Sequence, residues 1–180
     1  MKLQELISKL EKHHKKKLDL SLGRTFNLLK KLGNPQDKLK NVVTVVGTNA
    51  KASMCYSLKS ILNQAGHKTN LYTSPHLLSY TERYIFDDKE INEEDLIELL
   101  TDVEKTLGDD NATLFEILTC AFLKHAENFR DNINIIEAGL FHQFDSTNVF
   151  KENLMTLIGV IHNDHFQWLE NKSIEGVIYE

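Results

Sequence analysis

The run Asn41-Val42-Val43-Thr44-Val45-Val46 constrains the fold more than any other stretch of the sequence. It is short, β-branched and apolar, so it reads as a buried strand. Directly after it, Gly47 to Ser53 form a turn, and residues 53–65 change to a helical period with Leu58, Ile61 and Leu62 on one side. Strand, turn and helix in that order are the repeating unit of α/β folds.

The alternation continues along the chain. Two helices are expected before the strand, over 2–16 and 22–32, the second ended by Gly33-Asn34-Pro35. After it come a strand at Asn70-Leu71-Tyr72, a polar loop from Thr73 to Arg83, and a hairpin of Tyr84-Ile85-Phe86, an Asp87-Asp88 turn and Glu90-Ile91. Helices follow over 93–107 and 113–127, the latter with Thr113 and Glu116 spaced as a capping box. Strands are expected at Ile133–Glu137 and Leu154–Ile161, and a last helix starts near Ser173. The fold class is α/β, with a mainly parallel sheet flanked by helices. At 180 residues the chain suits one domain.

Charge is split along the sequence. Residues 1–40 carry eleven Lys or Arg against four Asp or Glu, and residues 41–180 carry ten against twenty-two. A basic start can serve nucleic acid or a membrane surface. The densest run, Lys12-His13-His14-Lys15-Lys16-Lys17, instead follows an amphipathic stretch with Leu3, Leu6, Ile7 and Leu10 on one face. Cations there complement the negative end of a helix dipole, and no aromatic residues interleave with them. No nucleic-acid partner is expected. No apolar run approaches a membrane span or a signal-peptide core, so no membrane partner is expected and the expected location is cytoplasmic. Cys55 and Cys120 lie in apolar helical contexts that suit reduced thiols.

In open α/β sheets ligands collect at the carboxyl ends of the strands. Three polar clusters fall at such ends. Gly47-Thr48-Asn49-Ala50-Lys51-Ala52-Ser53 offers a helix N-terminus, a lysine for outer phosphates and a hydroxyl for Mg²⁺, although an ordinary strand-to-helix turn fits it as well. Glu137 ends an apolar strand, where it can hold Mg²⁺ or stand half-solvated. His162-Asn163-Asp164-His165 can supply metal ligands or form a plain turn.

Together these residues resemble the Mur-ligase superfamily and, within it, the folylpolyglutamate/dihydrofolate synthases. The resemblance runs from about Leu18 to Glu180. Leu20-Ser21-Leu22-Gly23-Arg24 and Leu32-Gly33-Asn34-Pro35 are similar to the family's opening helix and turn. The 47–53 loop resembles Gly-Thr-Asn-Gly-Lys-Gly-Ser. Leu71-Tyr72-Thr73-Ser74-Pro75-His76-Leu77 with Glu82-Arg83 is close to the family's omega loop. Thr113-Leu114-Phe115-Glu116, Glu137-Ala138-Gly139-Leu140, Asp145-Ser146-Thr147-Asn148 and Asp164-His165 match further motifs in order and spacing.

The resemblance implies a P-loop-NTPase-like central domain, ATP and Mg²⁺ as cofactors, and dihydropteroate or a folate plus glutamate as substrates. The implied reaction activates a carboxylate as an acyl phosphate, which the glutamate amine attacks to form an amide. It implies catalytic roles for Lys51 and His165, and ATP contacts from Thr48, Asn49, Ala50, Lys51, Ala52 and Ser53. Ser53, Ser74, Glu137 and His165 become metal ligands, the last with a neutral imidazole. Asp19, Leu20, Thr113, Phe115, Asp145 and Ser146 would line the pteroate pocket.

Three departures qualify the match. Alanine stands at 50 and 52 where the family has glycine, and a left-handed alanine costs about 1–2 kcal/mol at each. Phe141-His142-Gln143 stands where the family has a Gly-Gly pair. The sequence ends at Glu180, where the family continues with a metal-supporting carbamylated lysine, more of the ATPase sheet and a C-terminal domain. The expected organisation is therefore a single, truncated ATPase-domain fragment, with a helical lead-in over 1–40 and an α/β part over 41–180. Catalysis would need the missing part, in cis or from a complementing C-terminal chain. The alternative is a catalytically inactive remnant that binds nucleotide or folate.

Overall fold

A computed structural model describes residues 2–13, 21–163, 166–169 and 171–179. Its strands are β1 (Val42–Val46), β2 (Thr69–Tyr72), β3 (Tyr84–Phe86), β4 (Lys89–Glu90), β5 (Ile133–Glu137) and β6 (Met155–Ile158). Its helices are α1 (Leu3–His13), α2 (Gly23–Lys31), α3 (Lys51–Gln64), α4 (Glu93–Leu107), α5 (Leu114–Ala126) and α6 (Ile174–Tyr179). The strands form one sheet in the order β4-β3-β2-β5-β1-β6. The four strands β2, β5, β1 and β6 run parallel, and the β3–β4 hairpin adds an antiparallel edge beside β2.

Side chains that alternate across the strands divide the core in two. Tyr72, Tyr84, Phe86 and Ile136 face the layer that holds α1, α2, α4 and α5. Leu71, Ile85, Ile135 and Val45 face α3, meeting Cys55, Met54, Leu58 and Leu62. Helix α5 is the most enclosed element, with Ile117 through Leu123 buried without a break. That run explains why its sequence is apolar on every side. The lead-in is part of the same core. Leu6, Ile7 and Leu10 of α1 are fully buried, each worth roughly 1.5–3 kcal/mol.

Element boundaries follow the sequence reading closely at β5, α4 and the hairpin, residues 14–16 of the first expected helix lie outside the described residues, and two further boundaries shift for a structural reason. The helix expected from residue 53 begins at Lys51, because Ala50 takes the left-handed conformation that lets the chain turn into it. The strand expected over 154–161 is Met155–Ile158, because β1 pairs with it only over that length. Strand β6 forms the sheet edge, and Leu154, Met155, Ile158 and Val160 beside it are half exposed or more. Among the described residues no helix is long and apolar enough to cross a membrane.

Candidate functional site

Parallel register brings the polar strand ends into one row. Val45 of β1 pairs with Glu137 of β5, Tyr72 of β2 pairs with Ile136, and Val46 pairs with Ile158 of β6. Gly47, Ala138, Thr73 and Gly159 therefore leave the sheet side by side along its carboxyl edge.

The loop after β1 is fixed on one side and open on the other. The N–H groups of Thr48 and Asn49 both donate to the Val160 carbonyl, at 2.9 and 3.4 Å. His162 N–H donates to Thr48 Oγ1 at 3.0 Å. Gly47 has a φ of +132, and a Cβ there would stand 3.0 Å from Gly159 Cα, so this glycine is required by close backbone approach. Ala50 is left-handed with a φ of 66, whereas Ala52 lies within the first turn of α3. The strain expected at both alanines therefore falls on Ala50 alone. Among the described residues no side chain caps α3. The amides of its first turn are left to an external partner, and the positive end of the helix dipole favours an anion. Lys51 Nζ curls over the loop, donating to the carbonyls of Gly47 at 2.8 Å and Thr48 at 3.4 Å.

Next along the row, Glu137 is 3% exposed. Its Oε2 accepts the Ser74 N–H at 2.9 Å, which ties the β2 loop to β5. Burial pushes this carboxyl upward, and the Ser74 amide and the charges of Lys51 and Arg83 oppose the push. The second oxygen, Oε1, receives no hydrogen bond from the described residues, which leaves its lone pairs open to a ligand. Among the described residues no group of three or more His, Cys, Asp or Glu converges on a metal position. A lone buried carboxylate suits a hydrated, oxygen-seeking cation such as Mg²⁺ better than it suits zinc.

Of the residues expected around pteroate, Thr113, Phe115, Asp145 and Ser146 are described, and each has a structural role. Thr113 is the N-cap of α5: its Oγ1 accepts from Glu116 N–H at 3.2 Å, and its own N–H donates to Glu116 Oε2 at 2.6 Å. Arg24 donates to the same Glu116 carboxylate from Nε and Nη2. Phe115 stacks on Tyr72 with centroids 6.3 Å apart and lies over Gly139. The Asp145 carboxylate accepts from the N–H groups of Gly139, Leu140 and Thr147 and from Thr147 Oγ1, so it pins the turn after Glu137. Ser146 is buried and shares a hydrogen bond with Thr119 at 2.9 Å. A cavity of about 390 Å³ opens beside the loop, lined by Gly47, Lys51, Gly139, His142, Thr156 and Tyr179 among others. None of Thr113, Phe115, Asp145 or Ser146 lines it. Asp19, Leu20, Asp164 and His165 lie outside the described residues.

Comparison with known proteins finds relatives by sequence and by overall fold. Over 167 residues the chain is 35% identical to the dihydrofolate synthase/folylpolyglutamate synthase of Escherichia coli, covering 93% of this chain and 39% of that protein. Over 166 residues it is 36% identical to the protein of the same name from Bacillus subtilis, covering 88% and 38%. The structure of E. coli FolC in complex with DHPP and ADP superposes with a TM-score of 0.90 at 33% identity, over 98% of this chain and 42% of that one. By sequence and by fold, this chain is similar to one part of the dihydrofolate/folylpolyglutamate synthases. A synthase of the family from Yersinia pestis, complexed with AMPPNP and Mn ion, gives a TM-score of 0.88 at 30% identity, covering 98% and 42%. No protein-family model matches the chain. The chain spans about two fifths of the length of the synthases it matches.

Two residues of this chain escaped the sequence reading. His142 lines the cavity with its Nδ1 buried and without a hydrogen-bond partner among the described residues, and burial holds its pKa below the ordinary range. Its signal was the departure at 141–143. Arg83 places a second positive charge on Glu137 beside that of Lys51. It appeared in the sequence only as the end of a motif.

Proposed function

We propose that this chain holds the triphosphate of ATP on the loop Gly47–Ser53 and one Mg²⁺ at Glu137, in the service of ATP-dependent ligation of glutamate to dihydropteroate or a folate. The register of Val45 with Glu137 carries the reading. It sets an uncapped helix N-terminus and an ion-seeking carboxylate at neighbouring strand ends. In this reading Lys51 and the first-turn amides of α3 receive the phosphates, with Thr48, Asn49, Ala50 and Ala52 shaping the loop. Ser53, Ser74, Glu137 and His165 hold the cation. Stabilising charge on phosphoryl oxygens is the main task in such a reaction, and these are the groups suited to it.

Pteroate would contact Asp19, Leu20, Thr113 and Phe115, with Asp145 and Ser146 bracing that wall from behind. The complexes of the relatives with ADP and DHPP, and with AMPPNP and Mn ion, support the choice of ligands. Residues 41–180 form the nucleotide-binding α/β part and residues 1–40 its helical lead-in. Full turnover calls for the remaining three fifths of a synthase, in cis or from a complementing C-terminal chain. Buried free Cys55 and Cys120 suit a cytoplasmic setting.

The test is to incubate the chain with Mg-ATP, dihydropteroate or a folate, and glutamate, alone and with a C-terminal synthase fragment. ADP release that depends on the pterin supports the ligase. Mg-ATP binding without turnover in either mixture supports a binding-only remnant. Lys51→Ala abolishes nucleotide binding with little change in melting temperature, and unchanged affinity would count against the phosphate-loop assignment.

A further inference from the structure

The loop from Thr73 to Arg83 is built around a single guanidinium. Its neck closes where Thr73 N–H donates to the Arg83 carbonyl at 3.3 Å. Its crown is set by Glu82, whose carboxylate accepts the N–H groups of Leu77, Leu78 and Ser79 at 2.7–2.8 Å. Within this frame Arg83 Nε donates to His76 Nδ1 at 2.9 Å. The guanidinium lies over the Tyr80 ring, 4.9 Å from its centroid, and His76 packs on the same ring at 4.1 Å. These contacts fix the plane of the side chain and use one of its five N–H groups. The two terminal nitrogens find no acceptor among the described residues.

A guanidinium with a fixed plane and an open fork matches an oxyanion, above all a carboxylate taken by two parallel hydrogen bonds. Its place in the row decides which anion. Lys51 and α3 follow β1, on one flank of Glu137, and Arg83 leads into β3, on the other flank. Thr73, its backbone partner, precedes Ser74, whose amide holds Glu137. An anion on Arg83 would face the phosphate loop across the Glu137 carboxylate.

We infer that Arg83 grips the carboxylate of the pterin-bearing substrate, the group to be activated, and presents it to the phosphate bound at Lys51. This rests on the nucleotide site proposed above. The test titrates the full chain with dihydropteroate and with its neutral carboxamide, each in the presence of Mg-ADP. The wild-type chain should prefer the carboxylate about tenfold or more, the usual scale of a charge-assisted contact. Arg83→Ala should erase that preference while leaving carboxamide and Mg-ADP affinities within about twofold of wild type, and Arg83→Lys should restore part of it. An unchanged preference in Arg83→Ala, or a loss shared equally by carboxylate, carboxamide and Mg-ADP, overturns the assignment. A wild-type chain that binds Mg-ADP but neither pterin overturns it and leaves the nucleotide site standing. Failure to bind Mg-ADP removes both.

Discussion

Two alanines two positions apart, Ala50 and Ala52, should respond to glycine with opposite signs. Ala50 sits at φ 66, where an L side chain crowds the following carbonyl at about 1–2 kcal/mol. Glycine removes that strain but loses roughly 0.5–1 kcal/mol more backbone entropy on folding. Ala50→Gly should therefore stabilise the fold by about 0.5–1 kcal/mol. Ala52 lies in the first turn of α3 with ordinary helical geometry, so Ala52→Gly brings the entropy loss with no relief. It should destabilise by about 0.5–1 kcal/mol. For a chain of this size each kcal/mol moves the melting temperature about 2–4 °C. Thermal or urea unfolding without nucleotide would resolve the two variants, one above and one below wild type. A fall in both, or equal shifts, would refute the placement of strain at residue 50 alone.

Thr113→Ala should destabilise by about 1 kcal/mol through loss of the α5 cap, and Thr113→Ser should not, as read by urea unfolding. Gly139→Ala sets a Cβ 2.5 Å from Phe115 Cζ and 3.0 Å from Asp145 Oδ2, an overpacking expected to cost about 1–3 kcal/mol. Unfolding of the double variant with Phe115→Ala should show a sub-additive loss. His125 is held below its ordinary pKa of 6.5 by burial against Phe86 and Phe129, which outweighs nearby Asp95. The folded chain then binds fewer protons than the unfolded one, so this contribution to stability is full above pH 6.5 and falls as pH drops through and below that value. His125→Phe should flatten the dependence between pH 7.5 and 5.5, leaving the parts due to His76 and His142, which are depressed by burial in the same way.

Most of the fold was legible because its signals are local. The valines of β1, the apolar run of β5, the acidic first turn of α4 and the Thr113–Glu116 box each act within a few residues. What escaped depends on distance or on an atypical residue. Nothing local predicts that α3 starts at Lys51, since alanine is not the usual residue for a left-handed cap. Nor could spacing foretell that Thr48 and Asn49 would be tied to Val160, more than a hundred residues later. The candidate site was legible as a set of strand ends, and parallel register joins those ends. Its finer assignments were harder. Asp145 reads as a ligand residue by motif, yet its carboxylate is saturated by four donors from its own loop. The Asp145–Thr147 pair was a local turn signal that could have pointed to that role. Arg83 and His76 meet only because Glu82 folds the loop crown back.

In the proposed function the loop after β1 and the carboxylate at the end of β5 act on one metal-bound triphosphate. The direct measurement is the affinity of ATP by calorimetry, with and without Mg²⁺, for wild type and Glu137→Gln. Mg²⁺ should tighten wild-type binding about tenfold or more, and the substitution should remove that gain while leaving metal-free binding nearly unchanged. An identical response to Mg²⁺ in both proteins would contradict the account.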